Sequence, residues 1–216
     1  MGPPDSSIWT MEPYLMATRA EIEARMADIL NRQDFNARIT IWFQRAYTSI
    51  QRRFDFKCME VTEEMTVGSG MSTFPIPNDI KKSMLLYLHD GTGIVTRFRE
   101  GSIDEVRGYL GAGGCECEPV FTDWYGSLLF APAITAAQAG LYLRYDYYRW
   151  LTPVDNDWFM TKAEDFLVYR GLAESAPFLA ADPRLNVWAA FAKEPYEELW
   201  KPEQDRKISG PLWLRG

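Results

Sequence analysis

The chain has 216 residues, 47% of them hydrophobic, and a formal net charge of −7. This is enough apolar material for a real core in one domain, or in one domain carrying a large insertion. The acidic balance argues against a protein that grips a nucleic-acid backbone, which needs a basic face, but it allows DNA to pass without adhering. Aromatic residues make up 14% of the chain, a share that fills cores and also suits protein–protein contacts. There is no secretory signal, lipidation motif or long apolar run. With three cysteines, an odd number, the expectation is a soluble protein made in a reducing cytoplasm.

Residues 1–17 mix Pro3, Pro4 and Pro13 with isolated apolar residues and lack a sustained period. They read either as a disordered arm or as an arm that orders on a neighbouring subunit. Trp9, Tyr14 and Leu15 support the second reading, being poor residues to leave in water. Thr18 and Glu21 have capping-box spacing, and Ile22, Met26, Ile29 and Leu30 follow at helical spacing. Asp34 is placed to cap a second helix. Its apolar stripe runs through Ile39, Trp42, Phe43, Ala46, Tyr47 and Ile50 to about Phe54, with Gln44, Arg45, Gln51, Arg52 and Arg53 on the solvated face.

After Phe56 the period changes to alternation. Residues 58–66 read as a strand, and Phe74-Pro75-Ile76-Pro77 is excluded from a helix or a central strand because proline lacks the donor. Residues 80–88 and 94–99 form a hairpin around Asp90-Gly91-Thr92-Gly93. Ser102 with Glu105 starts a short helix ending at Gly111. Residues 120–124 and 128–130 form a second hairpin about Tyr125-Gly126-Ser127, and residues 141–148 alternate cleanly. The middle of the chain is therefore a compact antiparallel β insertion between two helical pairs.

Residues 161–200 read as two helices. Thr161 with Glu164 forms a second capping box, ahead of Phe166, Tyr169, Leu172, Ala173 and Ala176. Asp182-Pro183 opens the next helix, whose stripe is Leu185, Trp188, Phe191, Ala192, Tyr196 and Leu199, and Pro177 and Pro195 kink or end the pair. Beyond Trp200 no helical period is visible. Arg206, Lys207 and Arg215 make the tail locally basic, and Ile208, Leu212, Trp213 and Leu214 suit docking by strand addition or pocket anchoring.

The expected fold is α+β: an antiparallel helical bundle, made of an N-terminal helix pair and a C-terminal helix hairpin, with an inserted antiparallel β domain and extended N- and C-terminal arms. The boundaries are 1–17 for the N-terminal arm, 18–56 and 158–200 for the bundle, 57–157 for the insertion and 201–216 for the C-terminal docking arm.

No catalytic constellation, metal site or cofactor site emerges. His89 is the lone histidine and reads as a turn residue. Cys115-Glu116-Cys117, with Cys58 far away, lacks paired zinc-ligand spacing, and Gly111-Ala112-Gly113-Gly114 lacks the Lys-Ser/Thr of a phosphate cradle. Asp155, Asp157, Glu164 and Asp165 are explained by helix caps and the helix dipole. The residues thus favour an interaction protein over an enzyme.

The layout also resembles the head-to-tail adaptor proteins of tailed bacteriophages, in particular the podophage-like type with a β insertion in a helical core. The resemblance is carried by the order and spacing of several elements. They are Ala46-Tyr47-Thr48-Ser49-Ile50-Gln51-Arg52-Arg53-Phe54, Phe74-Pro75-Ile76-Pro77-Asn78-Asp79, Leu128-Leu129-Phe130-Ala131-Pro132, and the stretch from Leu167-Val168-Tyr169-Arg170-Gly171 to Asp182-Pro183-Arg184-Leu185. It implies a structural virion protein of the neck, made in the host cytoplasm, without catalysis, cofactor or membrane association. It further implies a dodecameric ring between the portal protein and a tail nozzle or tail tube protein, through which DNA passes without sequence-specific binding. An acidic lumen would repel the phosphates. The resemblance places the portal-docking arm at Arg206, Lys207, Ile208, Leu212, Trp213 and Leu214. Trp9, Tyr14, Trp42 and Trp124 are candidate subunit or tail contacts, although Trp42, Phe43 and Tyr47 fit an intramolecular core better than a ring interface.

Two other classes stand beside this one. One is a β-rich, tail-associated binding module for a glycan or another tail protein, using Trp124, Tyr125, Tyr142 and Tyr148. The other is an enzyme built on a carboxylate pair that no motif selects.

Overall fold

A computed structural model describes residues 18–111, 118–154, 157–179 and 182–209. The Trp9 and Tyr14 arm, the Cys115-Cys117 loop, Asp155 and the Leu212-Trp213-Leu214 tail lie outside the described residues. The chain is mixed α and β and divides into two compact units, Asp55–Leu151 and the segments on either side of it.

The helical unit contains α1 (Arg19–Leu30), α2 (Asn36–Arg53), α4 (Trp158–Lys162), α5 (Glu164–Ala173), α6 (Arg184–Phe191) and α7 (Lys193–Ser209). Helix α1 begins at the expected reciprocal capping box. Thr18 N–H donates to Glu21 Oε2 at 2.7 Å, and Glu21 N–H donates to Thr18 Oγ1 at 3.3 Å. The helix ends where Asn31 takes a left-handed conformation at φ 52° and its N–H reaches Ala27 O. Ile39, Trp42, Phe43, Ala46, Tyr47 and Ile50 on α2 are all buried. Helix α5 packs against α1, α2 and α6. That accounts for its run of buried residues, Phe166, Leu167, Val168, Gly171 and Leu172, which a one-faced helix would not show.

Several local expectations are corrected here. Thr161 is not an N-cap. Asp157 takes that role, accepting from Met160 N–H at 2.8 Å, while Thr161 Oγ1 donates back to Asp157 O at 3.0 Å and is no longer free to cap. Asp34 lies within a 3₁₀ turn (Gln33–Phe35) and pairs with Arg32, so α2 begins after it at Asn36. Gln51, expected in solvent, is buried, with Nε2 3.4 Å from Tyr47 O. Phe191, expected in the last apolar stripe, is 53% exposed, while Trp188 and Ala192 are buried.

The chain beyond Trp200 is helical to Ser209, with Pro202 inside α7. Good helix formers and the close pairs of Glu197 with Lys193 and Lys201, and of Glu203 with Arg206, sustain that helix without an apolar stripe.

The second unit holds β1 (Glu60–Thr66), β2 (Thr73–Pro75), β3 (Ile80–His89), β4 (Ile94–Glu100), α3 (Ile103–Gly111), β5 (Val120–Trp124), β6 (Ser127–Ala131) and β7 (Tyr142–Arg149). They form one seven-stranded sheet in the order β1-β7-β3-β4-β5-β6-β2. The sheet is not wholly antiparallel. Strands β4 and β5 pair in parallel, Arg99 with Val120 and Glu100 with Phe121, because α3 carries the chain across between them. Strand β2, with its proline, takes the edge where the missing donor is not needed.

The sheet curls around its own core. Phe74 on edge strand β2 meets Tyr145 on β7 edge-on at 5.8 Å, in a cluster with Leu86, Phe98, Phe130 and Leu143. A smaller core seats α3 through Val106 on Val120 and Ala131.

Candidate interaction surfaces

Polar groups that carry chemistry elsewhere have structural partners here. His89 Nε2 lies 2.7 Å from Glu64 Oε2, its Nδ1 accepts from Gly91 N–H at 3.2 Å, and the ring stacks on Tyr142 at 5.4 Å. It is the turn histidine the sequence predicts. Asp157, besides capping α4, accepts from the Tyr47 hydroxyl at 2.5 Å and from Val154 N–H at 3.3 Å. Arg25 bridges α1 to Glu164 and Asp165 on α5, at 2.7 Å each. Among the described residues no group of three or more His, Cys, Asp or Glu side chains could hold a metal ion. Burial, with Glu100 as a lesser cause, pushes the Asp123 carboxyl above its usual range, yet neither residue lines the grooves described below.

Three surfaces are available for partners. The first is the β5–β6 tip. Tyr125 and Gly126 both have positive φ, 47° and 76°, as a tight two-residue hairpin turn requires. Asn or Gly usually fills the first position; here it holds a tyrosine that is 90% exposed. Its ring meets Trp124 edge-on at 4.7 Å, and the Arg107 guanidinium lies 4.4 Å from the other ring's centre.

The second surface is a basic groove of about 530 Å³ between α2 and α5. Arg45, Ser49 and Arg52 run along one flank of α2, beside its buried stripe. Arg45, Arg52, Arg53 and Arg170 face a single carboxylate, Glu174. Glu174 accepts from Arg170 Nη2 at 2.6 Å, while Arg170 Nε is buried without an acceptor.

The third is an acidic groove of about 410 Å³ between α4, α5 and α7, where Glu164, Asp165, Glu198 and Glu203 outnumber Lys162.

Of the aromatic residues proposed for sugar binding, only Trp124 and Tyr125 meet. Tyr148 is buried, flanked by Glu60 and Lys82 on the neighbouring strands, with its hydroxyl on Glu60 Oε1 at 3.2 Å. Tyr142 lies on β7, separated from the Trp124–Tyr125 turn by β3 and β4 in the sheet order.

A match to the SU10 adaptor protein family spans residues 17–212. The chain belongs to that family. It is a phage head-to-tail adaptor, a structural component of the virion neck. No curated protein matches the chain. Among the described residues no helix of the adaptor is long and apolar enough to cross a membrane.

Of the residues expected to contact partners, the described ones fall into three groups in the adaptor. Trp42 is buried, packed against Phe35 and Phe178 at 5.8 and 5.9 Å, which leaves its ring no free area for a partner; its core role is the one the structure supports. Trp124 is at the hairpin tip. Arg206, Lys207 and Ile208 lie in the last turns of α7, not in an extended arm, and Arg206 pairs with Glu203 at 3.0 Å. Sequence reasoning assigned Arg45, Arg52 and Arg53 to a solvated face and missed their meeting with Arg170. The i, i+7 spacing of Arg45 and Arg52 was the available signal; the contribution of α5 was not visible.

Proposed function

We propose that this adaptor assembles as a ring of twelve copies between the portal protein and a tail nozzle or tail tube protein, and that DNA passes through its lumen. The family match over nearly the whole chain carries this reading. The net charge of −7 supports it, because an acidic lumen lets DNA slide instead of adhering. In this reading the helical unit is the body of each subunit and the β unit an insertion in its chain. The C-terminal segment, through Arg206, Lys207, Ile208, Leu212, Trp213 and Leu214, is the portal-docking element. Trp9, Tyr14 and the Trp124 tip contact other subunits or the tail.

The test is the mass of the purified full chain in solution, alone and after mixing with the portal ring of the same virus. A single large complex with about one adaptor per portal subunit is expected. A chain that stays monomeric and ignores the portal refutes the reading. Deleting residues 208–216 should leave a folded protein that no longer binds portal, and unchanged binding would remove the docking role from that segment.

A further inference from the structure

The two charged grooves belong to one helical unit and carry opposite signs. Four arginines line the first beside one carboxylate; four carboxylates line the second beside one lysine, with Arg25 bridging Glu164 and Asp165 and Arg206 pairing with Glu203. Helix α5 contributes to both. Glu164 and Asp165 in its first turn line the acidic groove, and Arg170 with the C-cap residue Glu174 lines the basic one, so the grooves lie toward opposite ends of the helix.

The basic groove holds more positive charge than its one carboxylate, Glu174, offsets. Among the described residues Arg45 and Arg52 are exposed and make no hydrogen bond or ion pair, and Arg170 Nε is buried without an acceptor. In a chain of net charge −7, such a concentration of arginine is the exception.

We infer that the basic α2–α5 groove of one copy receives the acidic α4–α5–α7 face of the next copy, a heterologous contact between neighbouring subunits. Opposite charges on two separate patches of one unit let every copy act as donor and acceptor at once. That is the condition for a head-to-tail arrangement, which closes into a ring when the rotation per step allows. Arginine suits the role because its planar fork takes carboxylates in pairs. This inference rests on the ring reading and specifies which faces form its seams.

The experiment uses the full-length chain and three preparations, each mixed with the portal ring and analysed for mass. The wild type sets the reference. The first variant carries Arg45→Glu and Arg52→Glu, at exposed positions without partners, so the fold is not at risk. The second carries Glu198→Arg, at an exposed position of the acidic groove outside the Arg25 bridge. Each variant alone should lose assembly at least about tenfold in affinity, since like charges then face each other across every seam. Mixed in equal amounts, the two should recover, because in an alternating ring each reversed groove meets a reversed face. Wild-type assembly should also weaken as salt rises.

Two variants that assemble like the wild type overturn the inference while leaving the ring reading intact. So do variants that fail singly and stay apart when mixed. If the arginine variant assembles normally but loses retention on duplex DNA, the groove is a phosphate contact and not a subunit seam. A wild type that does not assemble removes the ring reading itself, and the inference with it.

Discussion

Gly171 sits where α5 crosses α1, and replacing it with alanine separates two opposing effects. A methyl group added there would stand 2.5 Å from Met26 Cε and 3.1 Å from Met26 Sδ. Ordinary carbon contacts are about 3.5–4.0 Å, so the nearer atom is at least about 1 Å too close. Removing a glycine from a helix interior is by itself favourable by about 1 kcal/mol. Overpacking a filled core costs about 1–3 kcal/mol, and the crowded atom is the end of the Met26 side chain, which is fully buried and has to shift within the core.

The expected net effect of Gly171→Ala is a loss of about 1 kcal/mol, within that range after the propensity gain is subtracted. In a Met26→Leu background no atom occupies the Cε position. The same substitution should then be neutral or stabilising, giving a coupling of about 1–2 kcal/mol for residues in contact. Urea unfolding followed by far-ultraviolet circular dichroism reads this directly. With a urea slope of about 2 kcal/mol per molar, the single variant's midpoint falls by roughly 0.5 M. A midpoint that rises in the wild-type background would mean that α5 does not approach α1 this closely, and the packing argument would fail.

Tyr47→Phe should lower stability by about 1–2 kcal/mol, the low end for a bond to a charged acceptor, because Val154 and Met160 N–H groups continue to hold Asp157; an unmoved urea midpoint contradicts it. Trp42→Ala removes a buried indole and should cost about 3–5 kcal/mol, seen as a large drop in thermal midpoint. If the variant melts like the wild type, Trp42 is not core.

Asp90 Oδ1 accepts from Thr92 Oγ1, Thr92 N–H and Gly93 N–H at 2.7, 2.8 and 2.9 Å, which holds its carboxyl down at about 2. Its folded-state value lies below the unfolded one. The turn's contribution is therefore complete above about pH 4 and disappears as pH falls toward 2. A carboxyl-carbon NMR titration of Asp90 should show its midpoint near the lower value, and an ordinary aspartate midpoint near 4 would contradict the turn geometry.

Local order in the chain determines much of this adaptor. Thr18 and Glu21 sit three apart at a helix start, and the capping box they form needs no group distant in the chain. The period of α2 selects Ile39, Trp42, Phe43, Ala46, Tyr47 and Ile50 for burial, and Asp90-Gly91-Thr92-Gly93 turns a hairpin because those residues satisfy the turn themselves. The order of such local signals was enough to carry the family resemblance. What the sequence left open depends on groups distant in the chain. Asp157 displaces Thr161 as a cap while also holding Tyr47, 110 residues away. The parallel β4–β5 pairing follows from where α3 packs, which no alternation pattern encodes. Arg45 and Arg52 are a solvated stripe until α5 brings Arg170 beside them. Only folding makes that groove, because charge concentrates on a surface through the meeting of two helices, and neither helix alone shows it.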